Sequence, residues 1–106
     1  MPNYKNVTTG SIDANGEAVT QACRLLTPGA ISVQIAGTFA GTLQLEASVD
    51  GTNFAAYSLA DGNSATRATS ATAVKLFVGN AFAIHSFRVR ASAWTSGTAN
   101  ITIATL

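Results

Sequence analysis

The stretch ISVQIAGTFAGTLQLEASV, residues 31–49, alternates apolar and polar side chains with a period of two. Successive side chains of a β-strand point to opposite faces, so this spacing predicts two half-buried antiparallel strands joined by a glycine-containing corner at residues 37–41. The apolar positions that share the predicted inner face are Ile31, Val33, Ile35, Leu43, Leu45, Ala47 and Val49.

The same alternation returns in residues 85–103, on either side of a turn at Thr95-Ser96-Gly97. His85, Phe87, Val89, Ala91 and Ala93 fall on one face before the turn, and Ala99, Ile101 and Ile103 after it. The two alternating regions together predict the core. Its expected members are Ile31, Val33, Ile35, Leu43, Leu45, Phe87, Val89, Ile101 and Ile103.

Shorter apolar segments fill the rest of the chain, and none shows a helical stripe. A strand over Ala18–Leu26 ends at Pro28-Gly29, and further turns are expected at Asp50-Gly51, Asp61-Gly62-Asn63 and Gly79-Asn80. About seven or eight short strands at this spacing predict an all-β fold, an antiparallel β-sandwich. The 106-residue length predicts one domain over residues 11–106, with residues 1–10 able to form an extended N-terminal arm.

Charged residues make up only 10% of the chain, against about 25% in ordinary soluble domains. The net charge is +1 and the basic residues are scattered, so the sequence predicts no nucleic-acid partner. Apolar runs too short to span a bilayer predict no membrane segment, and the N-terminus lacks the pattern of a signal peptide. Two explanations of the low charge stay open, which are a threonine-rich β surface and a surface covered in an assembly.

The residues that carry chemistry are few, and the sequence predicts no enzyme and no catalytic, cofactor or metal site. The single histidine, His85, lies on the apolar face of a predicted strand, which indicates a core or interface residue. The single cysteine, Cys23, is expected to be a small buried hydrophobe. Asp50 and Asp61 are expected to form turns, although Asp50 and Asn53 also offer a local oxygen pair for calcium.

The aromatic residues leave two interpretations open. They either fill the core and cap its ends, or they form a platform on which a sugar ring could stack. The residues concerned are Trp94, Phe39, Phe54, Tyr57, Phe77 and Phe82.

Two blocks of the sequence carry a resemblance to a known group. VQIAGTFAGTLQLEASVDGTNF (residues 33–54) and FRVRASAWTSGTANITI (residues 87–103) resemble small β-sandwich virion proteins of tailed bacteriophages, of the head decoration or cement type. That group has similar GTFxGT corners, DGTxW turns and closing strand pairs, with Phe54 here in the place of the usual Trp. Discoidin-like sugar-binding sandwiches share the DGTxW turn, but they are longer and usually secreted.

The resemblance implies a phage structural protein, made in the host cytoplasm and located at the capsid surface of the virion. Its implied partners are the major capsid protein and copies of itself, with a trimer as the expected oligomer. The alternative is a tail or baseplate module that binds a receptor or a carbohydrate.

Overall fold

The alternating segments form strands throughout the described part of this computed structural model, which comprises residues 6–23, 30–62, 66–80 and 84–105. Those residues contain strands and no helix, which confirms the predicted all-β class. The strands are β1 (Asn6–Ile12), β2 (Ala18–Ala22), β3 (Ala30–Ser48), β4 (Ala55–Ala56), β5 (Leu59–Asp61), β6 (Arg67–Ala68), β7 (Ser70–Ala71), β8 (Lys75–Asn80) and β9 (Ser86–Thr105).

Two long strands, β3 and β9, form the centre of the molecule. They pair antiparallel along their whole length, from Ile31 opposite Thr105 to Ser48 opposite Ser86. The sequence predicted a corner in β3 and a turn in β9, and therefore four short strands. That prediction is wrong, because backbone pairing continues across both sites and unites each pair of segments into one strand.

The β3–β9 ribbon bends near its middle. A straight strand of 20 residues would be roughly 65 Å long, whereas the longest dimension of the protein is 42 Å. Two β-bulges lie at the bend: Thr95 and Ser92 have no partner in β3, because the register shifts between Ala40 and Gly41 and again between Thr42 and Leu43. Extra residues of this kind bend a strand and increase its twist.

The bend folds one sheet over its own inner surface. The strands β3 and β9 run through both halves. The first half has the strand order β1-β9-β3-β8-β5-β6, and in the second half β2 pairs with β9 while β4 and β7 pair with β3. The halves meet at one side, where the Thr8 hydroxyl donates a hydrogen bond to the Gln21 side chain and Gly10 packs against Val19. The layers of the expected sandwich are therefore two halves of one continuous antiparallel sheet.

All nine predicted core residues are buried to 1% exposure or less, so the inner face is the predicted one. Ile12, Leu59, Phe77 and Ala99 join them in a single cluster. Three inner-face assignments are wrong. Val49 is 71% exposed, because β3 ends one residue earlier, and Ala93 is exposed, because the bulges change the alternation beside it. His85, which precedes β9, is exposed as well.

The first strand differs from the expected N-terminal arm. Residues 6–10 belong to β1, which pairs with β9 in a regular antiparallel register. Residues 1–5 of the arm, residues 24–29 with the Pro28-Gly29 turn, Asn63 and Phe82 lie outside the described residues.

Candidate functional site

The Asp50 carboxylate organises the turn that follows β3. Its Oδ1 accepts hydrogen bonds of 2.8 Å from the Ser48 hydroxyl and from the backbone amides of Thr52 and Asn53. Its Oδ2 accepts one of 2.8 Å from the Asn53 side-chain amide. The Asn53 and Thr52 amides, together with these side-chain donors, hold the pKa of Asp50 well below its usual range. The structure confirms Asp50 as a turn former.

His85 lies over this turn and outside the core. It is exposed, its Nδ1 is 2.7 Å from the Ser86 hydroxyl, and its ring lies against Gly51. The prediction that His85 shares the buried face with Phe87 is wrong, because β9 begins after His85 and Ile84 is buried in its place.

The acidic side chains are distributed over separate sites. Glu17 Oε1 accepts hydrogen bonds from the amides of Asp13 and Ala14, and so closes the loop between β1 and β2. Asp61 lies at the end of β5, where it forms an ion pair of 3.3 Å with Lys75 beside a shallow cleft of about 190 Å³. Among the described residues, no group of three or more His, Cys, Asp or Glu side chains is arranged to hold a metal ion.

Glu46 forms the centre of an ion-pair cluster on the outer face of the second half of the sheet. Its Oε1 accepts a hydrogen bond of 2.6 Å from Arg88 Nε, and its Oε2 accepts one of 3.0 Å from Arg90 Nη2. The Arg88 guanidinium also lies 4.0 Å above the centre of the Phe54 ring. Burial raises the pKa of Glu46, but hydrogen bonds from Arg90 and Arg88 outweigh that effect and lower the pKa below its usual value.

We expect Glu46→Gln to lower the free energy of unfolding by about 1–2 kcal/mol at pH 7. The pKa of Glu46 is lower in the folded state, so its ion pairs stabilise the protein fully above the unfolded-state pKa of about 4.3. That stability is lost as the pH falls through the folded-state pKa. Urea unfolding of the parent and of Glu46→Gln should therefore show different free energies of unfolding at neutral pH. The difference should disappear at an acidic pH below the folded-state pKa of Glu46. An equal gap at neutral and acidic pH would contradict the ion-pair origin.

Cys23 follows β2 and is 5% exposed within the core, as expected of a small hydrophobe. Burial raises the pKa of its thiol, which disfavours the reactive thiolate.

Phe39 and Trp94 stack on each other at the bend of the sheet. Their ring centres are 5.3 Å apart and their planes differ by 6°. The Trp94 Nε1 donates a hydrogen bond of 3.2 Å to the Gly97 carbonyl. A Cβ on Gly41, which lies opposite Trp94, would be 2.5 Å from the Trp94 ring, so glycine is needed there for close approach. Both rings pack against the core and remain partly exposed, which makes them the candidate stacking platform.

The other aromatic residues have structural contacts. Phe77 is fully buried, Tyr57 contacts Phe87 edge to face at 6.3 Å, and Phe54 lies beneath Arg88. Phe77, Tyr57 and Phe54 therefore fit the first interpretation, in which aromatic residues pack within the protein. Among the described aromatic residues, only Phe39 and Trp94 form a coplanar stacked pair, so only they fit the second interpretation, a stacking platform.

The outer face of the first half of the sheet carries no charged side chain on its four adjacent strands β1, β9, β3 and β8. The residues align in rows, such as Val7, Ala104, Ser32 and Val78. Val7 is 56% exposed, Leu76 48% and Val78 40%. We call this surface the neutral face; its residues are Val7, Thr9, Ser11, Ser32, Gln34, Ala36, Leu76, Val78, Asn100, Thr102 and Ala104. The strand register reveals this surface, whereas the composition shows only that the overall charge is low.

These features define a class of protein: an all-β module, folded from one antiparallel sheet, that presents a neutral face and an aromatic pair. No protein-family model and no curated protein sequence matches the chain. Among solved structures, the chain is similar to the crystal structure of SPBc2 prophage-derived protein YomS, with a TM-score of 0.72 and 10% sequence identity. The match covers 100% of this chain and 98% of that one. The chain therefore shares the fold of a phage-derived protein over its whole length.

The described residues include no helix of the length and hydropathy that crossing a bilayer would require.

Proposed function

We propose that this protein is a structural component of a phage virion, a capsid decoration or cement protein that binds the head shell and stabilises it. It catalyses no reaction, and its partners are the major capsid protein and copies of itself. The fold shared with a prophage-derived protein supports the phage setting. The observation that carries the proposal is the neutral face, because burying uncharged side chains costs far less hydration free energy than burying charged ones, and interface centres are depleted of charge.

The size of the neutral face fits binding in many copies. Four strands spaced about 4.8 Å apart and roughly 20 Å long offer on the order of 400 Å². A stable one-to-one complex buries about 800 Å² on each partner. A contact of half that size is weak for one copy, but neighbouring copies that contact each other as well as the shell bind jointly with much higher avidity.

We expect purified protein to bind particles assembled without it, and Val78→Lys to reduce the bound copies by about tenfold, because a lysine in an apolar contact must be desolvated. Val49→Lys makes the same change at an exposed valine outside the neutral face, and it should bind like the parent. Quantitative gel analysis of sedimented particles measures both. Binding of the parent should weaken only modestly with added salt, because no ion pairs have to be screened.

Particles that lack the protein should assemble, but they should burst at lower temperature or under osmotic shock. The virion should contain on the order of hundreds of copies, because a decoration protein covers a repeating shell and binds it through many copies.

The Phe39–Trp94 pair favours the second candidate, a tail or baseplate module that binds a receptor or carbohydrate. Particles that hold their DNA normally, yet fail to adsorb to cells, would support that module and contradict the decoration role. Trp94→Ala should then abolish adsorption.

A further inference from the structure

Strand β1 has an open edge. It is the first strand in the order β1-β9-β3-β8-β5-β6, and it pairs with β9 through one edge only. No described strand pairs with its other edge. The backbone N–H and C=O groups on that edge can therefore accept another strand.

The sequence of β1 lacks the features that normally protect such an edge. Its seven residues, NVTTGSI, include no charge and no proline, and its register with β9 has no bulge. Proteins usually protect an edge with lysine, proline, a bulge or a very short strand. At the opposite end of the sheet, β6 has two residues, and its Arg67 side chain hydrogen-bonds to Ser58.

We propose that β1 pairs antiparallel with β1 of a second copy of this chain, across a two-fold axis near Thr9. When a strand pairs antiparallel with its own copy, its residues face the same sequence running in the opposite direction. In β1 this arrangement brings no like charges together. A Thr9–Thr9 pair would lie near the axis, and Val7 would lie opposite Ser11 of the partner. The neutral faces of the two copies then form one surface eight strands wide.

The pairing is weak for an isolated pair of molecules. A seven-residue edge is roughly 23 Å long and buries far less than the about 800 Å² per partner of a standard interface. The dimer is therefore concentration-dependent in solution. The inference concerns the isolated protein and does not rest on a location in the virion.

Sedimentation equilibrium of the purified protein, from about 1 µM to 1 mM, tests the pairing. We expect a monomer–dimer equilibrium, and Thr9→Lys should weaken it by at least about tenfold because two ammonium groups meet across the axis. Gln34→Lys is the matched control, because Gln34 is exposed in the same row of the neutral face, two strands from the edge. It should dimerise like the parent. Hydrogen exchange should show β1 amides gaining protection with concentration in the parent and in Gln34→Lys, but not in Thr9→Lys.

Three results would overturn the proposal. One is a monomer at every concentration. Another is a dimer that both lysine variants weaken equally, because the contact would then be the neutral face and not the edge. The third is a trimer that Thr9→Lys leaves intact. Thermal melting of each variant verifies that the fold survives, and Thr9 is suitable for substitution because its side chain is exposed.

Discussion

Val89→Asp is expected to unfold the protein at room temperature. Val89 is fully buried in the middle of the core, where it pairs with Leu45 on β3 and Val19 on β2. An unpaired carboxylate in such an environment costs several kcal/mol, and the lost apolar packing adds about 2 kcal/mol. A small domain has a free energy of unfolding of only about 5–15 kcal/mol. Circular dichroism and soluble yield measure the loss.

Two variants make this result interpretable. Val89→Ala removes packing without adding charge, and it should lower the melting temperature while retaining the fold. Ser96→Asp adds the same carboxylate to an exposed position of β9, and it should melt within a few degrees of the parent. A Val89→Asp protein that melted like the parent would mean that the inner and outer faces of β9 are interchanged.

Gly97→Ala is expected to be the most damaging single-methyl change, lowering the free energy of unfolding by roughly 3 kcal/mol or more. Gly97 has a φ of 88°, a conformation that L-residues with a Cβ adopt at a cost of about 1 kcal/mol. A Cβ there would also be 2.3 Å from the Thr38 carbonyl oxygen and 2.6 Å from the Phe39 Cα. Backbone on the partner strand cannot move aside as a flexible side chain can, so β3 and β9 must separate at the bend.

Gly16→Ala separates the two contributions. Gly16 also has a φ of 88°, but a Cβ there would meet nothing within 4 Å. Its substitution should therefore cost only the conformational part, about 1 kcal/mol. Urea unfolding of both variants gives the difference, which measures the clash. Equal destabilisation of the two variants would mean that the β3–β9 ribbon relaxes freely at Gly97.

Alternation in sequence predicted the core because the two ends of each long strand obey it. The middle of β9 could not be predicted in this way, because each bulge reverses which residues face inward. The first bulge, at Thr95, brings Trp94 to the inner side, and the second, at Ser92, returns the odd-numbered pattern at Ala91. Two reversals cancel, so the residues of β9 on either side of the bulges were assigned to the correct face. Between the bulges, Ala93 was assigned to the wrong face, and the place of Trp94 was left open between core and platform.

Strand ends were harder to predict than strand interiors. The alternating pattern continues through His85 and Val49, but backbone pairing of β9 begins at Ser86 and that of β3 ends at Ser48. Glu46 illustrates a different limit. Its polar character and position indicated an exposed outer face, yet it is 7% exposed, because the side chains of Arg88 and Arg90 on β9 bind over it. Such covering depends on a partner more than forty residues away.

The candidate surfaces required long-range pairing as well. Residues 6–10 have little strand pattern of their own, and they belong to the sheet because β9 provides a partner for each of them. The neutral face likewise combines strands from distant parts of the chain, so the low charge of the sequence indicated that such a surface could exist but not where it lies. The stacking of Phe39 on Trp94 depends on the same register.

The central place of β9 has a consequence for how the chain folds during its synthesis. β1, β2 and β3 all pair with β9, which a ribosome makes after them, and the first pair joins Asn6 to Thr105. Until residues 86–105 have left the exit tunnel, the nascent chain carries three strands that lack their common neighbour. Folding is then late and nearly all-or-none, at the slow end of the range for small proteins. Its low charge makes the unfolded nascent chain prone to aggregation. The supply of chaperones during expression should therefore influence the soluble yield more than the free energy of unfolding of the native protein does.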